Sequence, residues 1–500
     1  MTKGFVDMRQ WITLLEKDNE LRRIGAEVDW DREIGAVARR VLEKKGPALL
    51  FENIKGYGKG ARCTQLFTGG LGDRRRLALA LGFPKDVGNA ELVQYVMKKN
   101  RETIAPRVVR TGPVKDVVLT GGDIDQNQFP VPRWQYREGG RYIHTFSGIV
   151  TRDPDTRVMN VGIYRGMVSR PDTTPFLLIK GGQHWGQHFV KYAAKGEPMP
   201  VACVIGWDPI MPFLAGSPIP AGVCEYDVMG AYRGEPAELV KCETVDLEVP
   251  ASAEIVLEGF ISDDPDSYEL EGPFGEFTGY VSDVPTRRPT MKITCITHRR
   301  QPIFRGCLEG TLPGSYSENS VMSSVQRAAI AWNILNGAGI PGIRDVYVHP
   351  ITNGVNICVQ ITKHYQGQPK QIAAALWGNS AAQYRYKNVI VVEEDIDVSS
   401  YEQLDWAFAH RVNAGEDGLV IFPGIFGSPI DPSTPLADRD VSRLGTGLWN
   451  RVLIDATRSW KFERRAEWSN ERFPPTVRPA AEDEARVRQR WSEYGLGDLT

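Results

Sequence analysis

The sequence lacks the short motifs that usually mark nucleotide, flavin and hydrolase sites. It has no G-x-G-x-x-G after a strand, no Walker lysine loop, no G-x-S-x-G elbow and no H-E-x-x-H. These absences exclude a Rossmann dinucleotide site, a P-loop, an α/β-hydrolase nucleophile and a zincin centre, so any flavin or nucleotide must be held another way, for example through a metal on its phosphate. The seven cysteines stand singly (Cys63, Cys203, Cys224, Cys242, Cys295, Cys307, Cys358), with no C-x-x-C pair and an odd total. That excludes a disulfide framework and fits a reducing compartment, where thiols serve as small apolar groups. No apolar run approaches the roughly 20 residues of a membrane span, and MTKGFVDMRQW has no signal-peptide stretch. Charge of one sign is not in excess: 60 basic against 62 acidic side chains leave −2. Bulk electrostatics therefore recruits neither nucleic acid nor anionic lipid. Repeats and low-complexity tracts are absent as well. The expectation is a soluble, cytoplasmic protein with no nucleic-acid or membrane partner.

What is present is an ordinary globular composition, 42% hydrophobic over 500 residues, long enough for two or three domains and a large buried site. Asp7 with Gln10 reads as a capping box for a helix whose apolar face is Met8, Trp11, Ile12 and Leu15. A second helix is predicted over 31–45, with Ile34, Val37 and Val41 inward, then a strand at 48–51 and helices at 74–81 and 90–98. From about 107 to 305 the texture becomes β-rich, with strands predicted at 148–152, 160–168, 201–207, 253–261 and 291–297, which suggests a barrel or sandwich. Beyond it an apolar helix at 320–336 opens an alternation of strands (346–348, 355–361, 388–392) and helices, one near 371–377 and one through Val412 capped by Ser399 and Glu402. Pro474-Pro475 and Pro479 lead to a last helix, where Val487, Trp491 and Tyr494 form a stripe to dock on its own domain or on a partner.

The segment Glu269-Leu270-Glu271-Gly272-Pro273-Phe274-Gly275-Glu276 sets two acids on either side of a Gly-Pro-x-Gly turn. Glycine and proline make such a loop stiff, and paired carboxylates in different surroundings run acid and base steps at neutral pH. A solvated turn carrying two exposed glutamates fits the same residues equally well. Asn160 and Arg165 lie five residues apart in NVGIYR, an odd spacing that sends them to opposite faces of a strand unless Gly162 makes a bulge. Arg165 offers a fork for carboxylate or phosphate, or a surface ion pair. His184 and His188, in QHWGQH, share a helical face at i, i+4, as two metal ligands or as structural histidines. Glu225 is a candidate third ligand; an Asn, His and Glu set suits Mn²⁺ or Mg²⁺ better than structural zinc.

These signals occur in the order found in one family. The stretches GPALLFENIKGY (46–57), NVGIYRGMV (160–168), QH (183–184), VCEYD (223–227), VKCETVDLEVPASAEIVLEG (240–259), LEGPFGEFTGY (270–280) and VIVVEEDIDV (389–398) resemble the UbiD-type decarboxylases, the family of polyprenyl-hydroxybenzoate and ferulic acid decarboxylases. The resemblance implies an α+β multidomain chain: an N-terminal α/β unit (1–115), a central flavin-reductase-like split β-barrel binding prenylated FMN (116–310), a C-terminal α/β dimerisation domain (311–470) and a helical arm (471–500). It implies reversible, non-oxidative decarboxylation of an aromatic, heteroaromatic or α,β-unsaturated acid, with CO₂ as co-product, in a homodimer supplied by a flavin prenyltransferase. Arg165, Glu271 and Glu276 carry over as the catalytic set. Asn160, His184 and Glu225 carry over as ligands of Mn²⁺ or Mg²⁺, with K⁺ alongside. Cofactor contacts carry over to Asn160, Val161, Gly162, Ile163, Tyr164, Arg165, Gln183, His184, Ala215, Gly216, Ser217 and Glu225, with His188 the alternative histidine and Lys387 a candidate near the phosphate. Pocket walls are expected from the helix around Met322 and from the loop 424–436 through Phe426, Ile430 and Pro432. An unmodified-FMN oxidoreductase and a non-catalytic accessory subunit are the competing classes; the intact acid–base set speaks against the second.

Overall fold

The helix Met8–Lys17 buries Met8, Trp11, Ile12 and Leu15 as its spacing predicts. Its cap differs by one residue on the return side: Asp7 accepts the Gln10 N–H at 2.9 Å, while the Gln10 side chain reaches the Val6 N–H at 3.0 Å rather than that of Asp7. The computed structural model describes residues 4–496 except 182, 218, 220, 221, 283, 311 and 383. The second helix is shorter than expected, Glu33–Glu43, and buries Ile34, Gly35 and Ala38, leaving Val37 and Val41 half-buried. The face has turned toward Gly35 because a Cβ there would stand 1.9 Å from the Trp134 carbonyl oxygen, an approach that only glycine allows. Strands Leu21–Ile24, Ala48–Phe51, Gln65–Thr68 and Ile303–Arg305 form a sheet in that order, with Arg74–Ala80 and Asn89–Lys99 as the expected helices.

The middle of the chain builds a seven-stranded sheet. Along it run Val117–Thr120, Thr290–His298, Ile255–Ile261, Met199–Ile205, Gly148–Arg152 and Met159–Gly162, with Thr173–Pro175 also paired to Thr290–His298. All these pairings are antiparallel. The strand predicted at 160–168 stops at Gly162, and its register is regular, Thr151 opposite Asn160 and Ile149 opposite Gly162. There is thus no bulge at Gly162. The chain leaves the strand there, which frees Arg165 from strand alternation, and a Cβ on Gly162 would meet the Tyr164 hydroxyl at 2.3 Å.

A five-stranded sheet of Ile343–Val348, Asn356–Ile361, Asn388–Glu393, Gly447–Asp455 and Leu419–Gly427 follows, and two small sheets, one pairing Glu269–Glu271 with Thr286–Arg288 and one of Glu248–Pro250, Glu238–Lys241 and Arg107–Val108, complete the fold. The helix Glu318–Gly337 is buried around most of its circumference, which explains its weak amphipathic pattern. It packs on Asn89–Lys99 and on Ile343–Val348, so a single core runs between the first unit and the last. The helix Tyr401–Arg411 is capped by Ser400, which accepts the Gln403 N–H, and not by Ser399; Ser399 donates to Asp397 at 2.7 Å instead. The last helix, Ala481–Gln489, buries no residue, and of the expected stripe Val487 and Tyr494 are each 42% exposed while Trp491, beyond the helix, is half-buried. Among the described residues no helix is long and apolar enough to cross a membrane.

One contact ties the first sheet to the long helix. The buried Glu318 carboxylate accepts the N–H groups of half-buried Gly69 at 2.9 Å and buried Leu71 at 2.5 Å and pairs with buried Arg305. Arg305 lies 4.2 Å above the Phe146 ring. Glu318→Ala leaves a buried guanidinium without its counter-charge and two amides without partners and is expected to cost about 3–5 kcal/mol. A denaturation midpoint equal to that of the parent would refute this.

Candidate active site

Four element ends converge on a cavity of about 330 Å³ lined by Asn160, Val161, Gly162, Ile163, Tyr164, Gln183, His184, Ala215, Gly216, Ser217 and Glu225. They are the end of Met159–Gly162, the start of His184–Ala194, the end of Ile210–Ala215 and the start of Glu225–Arg233. Each element brings its residue to the cavity because its regular hydrogen bonding stops there, leaving backbone groups and side chains free to face a ligand. The Val161 N–H donates to Glu225 Oε2 at 2.7 Å. Burial pushes the Glu225 carboxyl up to about 8 against that hydrogen bond. The His184 Nδ1 stands 3.2 Å from Asn160 Oδ1, burial keeps this imidazole neutral by lowering its pKa, and the Asn160 Nδ2 is buried without a partner among the described residues. A desolvated carboxylate, a neutral imidazole and an under-satisfied amide are a donor set that fits a hard or intermediate divalent cation. Among the described residues no three His, Cys, Asp or Glu side chains gather as a metal cluster, since an amide is the third donor here.

His188 lines neither this cavity nor its neighbour. Its Nδ1 is 2.9 Å from Thr151 Oγ1 and its Nε2 is 3.9 Å from Asp153, so the two histidines of the i, i+4 pair have separate surroundings. Lys387 is also elsewhere, bonded to Asp431 and Ser433, each at 2.7 Å. The basic groups on the cavity wall are Arg327 and Arg385, which sequence reasoning did not single out. Their signal was an arginine inside an otherwise apolar helix and another between Tyr384 and Tyr386.

The adjoining cavity, about 270 Å³, shares Ile163, Tyr164, Gln183 and Arg385 and adds Arg165, Glu276 and Glu309. Arg165 grips Glu271 with Nε at 2.9 Å and Nη2 at 3.0 Å, and its Nη1 pairs with Glu276. Gly272, at φ +94°, lets the turn fold the two acids toward one guanidinium. The Tyr142 hydroxyl donates to Glu271 at 2.8 Å, and the Phe274 ring lies 4.9 Å from the Arg165 guanidinium carbon. The solvated-turn alternative is thereby excluded: Glu271 is 1% and Glu276 8% exposed. Burial raises the pKa of Glu276 while Arg165 opposes the rise. Burial likewise works against the charge on Arg165, but Glu276 and Glu271 outweigh it, and the guanidinium stays protonated.

Of the expected wall residues, Ile430 is present, accompanied by Ser428 and Pro429, whereas Phe426 and Pro432 are not. The reason is that 424–427 belongs to the strand Leu419–Gly427, where Phe426 turns to the Arg451 guanidinium. Met322 is fully buried behind Gly216, and Asn319, one turn earlier, faces both cavities.

The acids raised by burial, Glu225 among them, set a pH dependence. Burial pushes Glu309 and Glu138 up to about 7 each, from an ordinary 4.5, against hydrogen bonds from Asn319 and from the Gln135 and Trp134 amides respectively. His144, His188 and His349 are lowered by burial to about 3, 4 and 4, and His184 and His298 are lowered as well, so all five are neutral in both states only from roughly one pH unit above their ordinary 6.5. In that range the folded chain holds protons that the unfolded chain has lost. The stability contributed by the raised acids is complete below 4.5 and lost as pH rises through about 7 for Glu309 and Glu138 and about 8 for Glu225. The melting temperature is therefore expected to fall from roughly pH 7.5, where the histidines no longer titrate in either state, to about 9, and a rise over that interval would contradict the assignment.

Comparison with known proteins agrees along the chain. Residues 12–96, 107–312 and 320–456 match the N-terminal, Rift-related and C-terminal domain models of 3-octaprenyl-4-hydroxybenzoate carboxy-lyase, UbiD. The pyrrole-2-carboxylic acid decarboxylase of Pseudomonas aeruginosa is 32% identical over 515 residues, spanning 100% of both chains. Among solved structures, the UbiD-class enzyme HmfF from Pelotomaculum thermopropionicum in complex with FMN is 29% identical, with a TM-score of 0.82, over 95% of this chain and 98% of that one. The closed form of vanillic acid decarboxylase from Sedimentibacter hydroxybenzoicus is 28% identical, with a TM-score of 0.83, over 98% and 99%.

Proposed function

The chain belongs to the UbiD family of carboxy-lyases, and from that premise we propose that it decarboxylates an aromatic, heteroaromatic or α,β-unsaturated carboxylic acid, reversibly, with prenylated FMN bound in the larger cavity. The supporting observation is the Arg165–Glu271–Glu276 cluster opening on a cavity that adjoins Asn160, His184 and Glu225. Asn160, His184 and Glu225 would hold Mn²⁺ or Mg²⁺ against the cofactor phosphate, with K⁺ near the 215–217 turn and Arg327 and Arg385 adding positive charge. When bound, the prenylated flavin supplies the electron sink that no side chain offers for a bonding pair leaving an sp² carbon.

The protein's own part is positioning and proton transfer. Arg165, fixed by its two bonds to Glu271 and by Tyr142 behind that acid, presents Nη1 toward the cavity, where a substrate carboxylate would displace Glu276 from it. Released and protonated, Glu276 delivers hydrogen to the carbon that loses CO₂. Leu177, Ile179, Phe274 and Ile430 keep the cavity dry, which disfavours a charged carboxylate relative to neutral CO₂. High CO₂ runs the same contacts backward. In keeping with the family, we read the central sheet as a split barrel, the units as 1–115, 116–310, 311–470 and an arm at 471–500, the assembly as a homodimer and the setting as cytoplasmic.

Expression with and without a flavin prenyltransferase tests the reading. Decarboxylation, and deuterium exchange into product in heavy water, are expected only with the prenyltransferase. Equal activity without it would favour an unmodified-FMN enzyme.

A further inference from the structure

The smaller cavity contains a carboxyl that the reaction above does not use. Glu309 lines it beside Arg165 and Glu276. Asn319 Nδ2 approaches Oε1 at 3.4 Å, while Oε2 is buried with no hydrogen-bond partner among the described residues. Neither nearby guanidinium forms an ion pair with it: Arg327 donates to the Asn353 carbonyl at 2.8 Å, and Arg385 donates to the Tyr384 carbonyl at 2.6 Å and lies over the Phe277 ring. The backbone of Glu309 is firmly held. Gln135 Nε2 donates to the carbonyls of Glu309 at 2.5 Å and Gly310 at 3.1 Å, and Arg39 reaches Gly310 at 3.3 Å. A half-buried glutamate on a firmly held backbone, with one carboxyl oxygen buried and unpartnered in a ligand cavity, awaits a further donor.

We propose that Glu309 determines substrate class: it selects acids whose ring carries an O–H or N–H donor away from the carboxylate, such as phenolic benzoates or N–H heteroaromatics, over otherwise matched acids without one. The proposal rests on the cavity being the decarboxylation site. With Arg165 taking the carboxylate, the rest of the ring lies among Phe274, Phe277 and Ile430, and a donor on it meets Oε2. An ionised Oε2 accepts from either kind of donor, and a phenol, being an acceptor too, also satisfies the protonated form. A second carboxylate on the ring would face Glu276 and Glu309 together, so dicarboxylates are disfavoured.

The test uses the protein loaded with FMN and reads binding by flavin fluorescence for two matched pairs whose donor stands away from the carboxylate-bearing carbon, pyrrole-3-carboxylate against furan-3-carboxylate and 3,4-dihydroxybenzoate against benzoate. In the parent the donor-bearing acid of at least one pair is expected to bind about tenfold tighter or better. Glu309→Leu should bring that ratio to within about twofold with flavin content unchanged, and Glu309→Gln, which keeps an acceptor, should retain part of it. Equal binding within both pairs in the parent, or a ratio that survives Glu309→Leu, overturns the proposal. Should the leucine variant not fold, the glutamine variant and the parent ratios decide. Turnover is read separately with the prenylated cofactor: absence of decarboxylation and of deuterium exchange for all four acids would count against the proposed function, while the binding ratios still judge Glu309.

Discussion

Glu276→Gln is expected to lower turnover by about a thousandfold or more, since a positioned acid contributes roughly 10²–10⁴ and the amide lacks the proton to deliver. Glutamine retains shape and an acceptor oxygen, so Arg165 stays bound between Glu271 and position 276. Flavin and metal contents, which depend on the other cavity, are expected to remain at parental levels. Substrate binding should change little, because the group that receives the carboxylate is intact. The burial that raises the pKa of Glu276 gives the activity profile its sign: the acid works when protonated, so the rate falls as pH rises through its pKa in the complex. Deuterium exchange into product in heavy water isolates the proton step from CO₂ release. Activity within tenfold of the parent would remove Glu276 from proton delivery and shift attention to Glu309, the other acid of the same cavity.

How much of this was legible in the sequence depended on whether a residue's role was local. Met8, Trp11, Ile12 and Leu15 repeat at the helical period and are the buried face; the strand Gly148–Arg152 falls on its predicted bounds. The reading failed where a distant backbone intervened. Gly35 turns the second helix because Trp134, far along the chain, presses on it, and the strand expected at 160–168 ends where the Tyr164 ring folds back onto Gly162. For the candidate site, the Gly-Pro-x-Gly turn showed which acids were stiffly held, and only the tertiary contact with Arg165 removed the alternative of two solvated glutamates. Family resemblance brought Asn160, His184 and Glu225 together from three separate segments, and they line one cavity. Arg327, Arg385 and Glu309 stayed hidden since no pattern distinguishes a cavity-lining charge from a surface one until the fold buries it. Lys387 was the reverse case, a charge in a promising segment that Asp431 and Ser433 occupy.

The second large effect is expected at the metal donors, where the two histidines of one helix separate cleanly. His184→Ala removes the imidazole that stands against Asn160 in the larger cavity. It leaves an incomplete donor set beside a buried Glu225 whose charge then lacks a cation, so the protein is expected to purify with little flavin and little divalent metal, and with no measurable turnover. His188→Ala instead deletes a hydrogen bond to Thr151 and a contact near Asp153, outside both cavities. It is expected to lower stability by about 1–3 kcal/mol for the unpaired hydroxyl and the lost packing, with flavin and metal retained. Absorbance of the bound flavin and metal analysis on the two purified variants read this directly. If His184→Ala kept its flavin while His188→Ala lost it, the cation would sit on the Thr151 and Asp153 side of the helix, and the phosphate end of the cofactor would have to be moved away from Gly216 and Ser217.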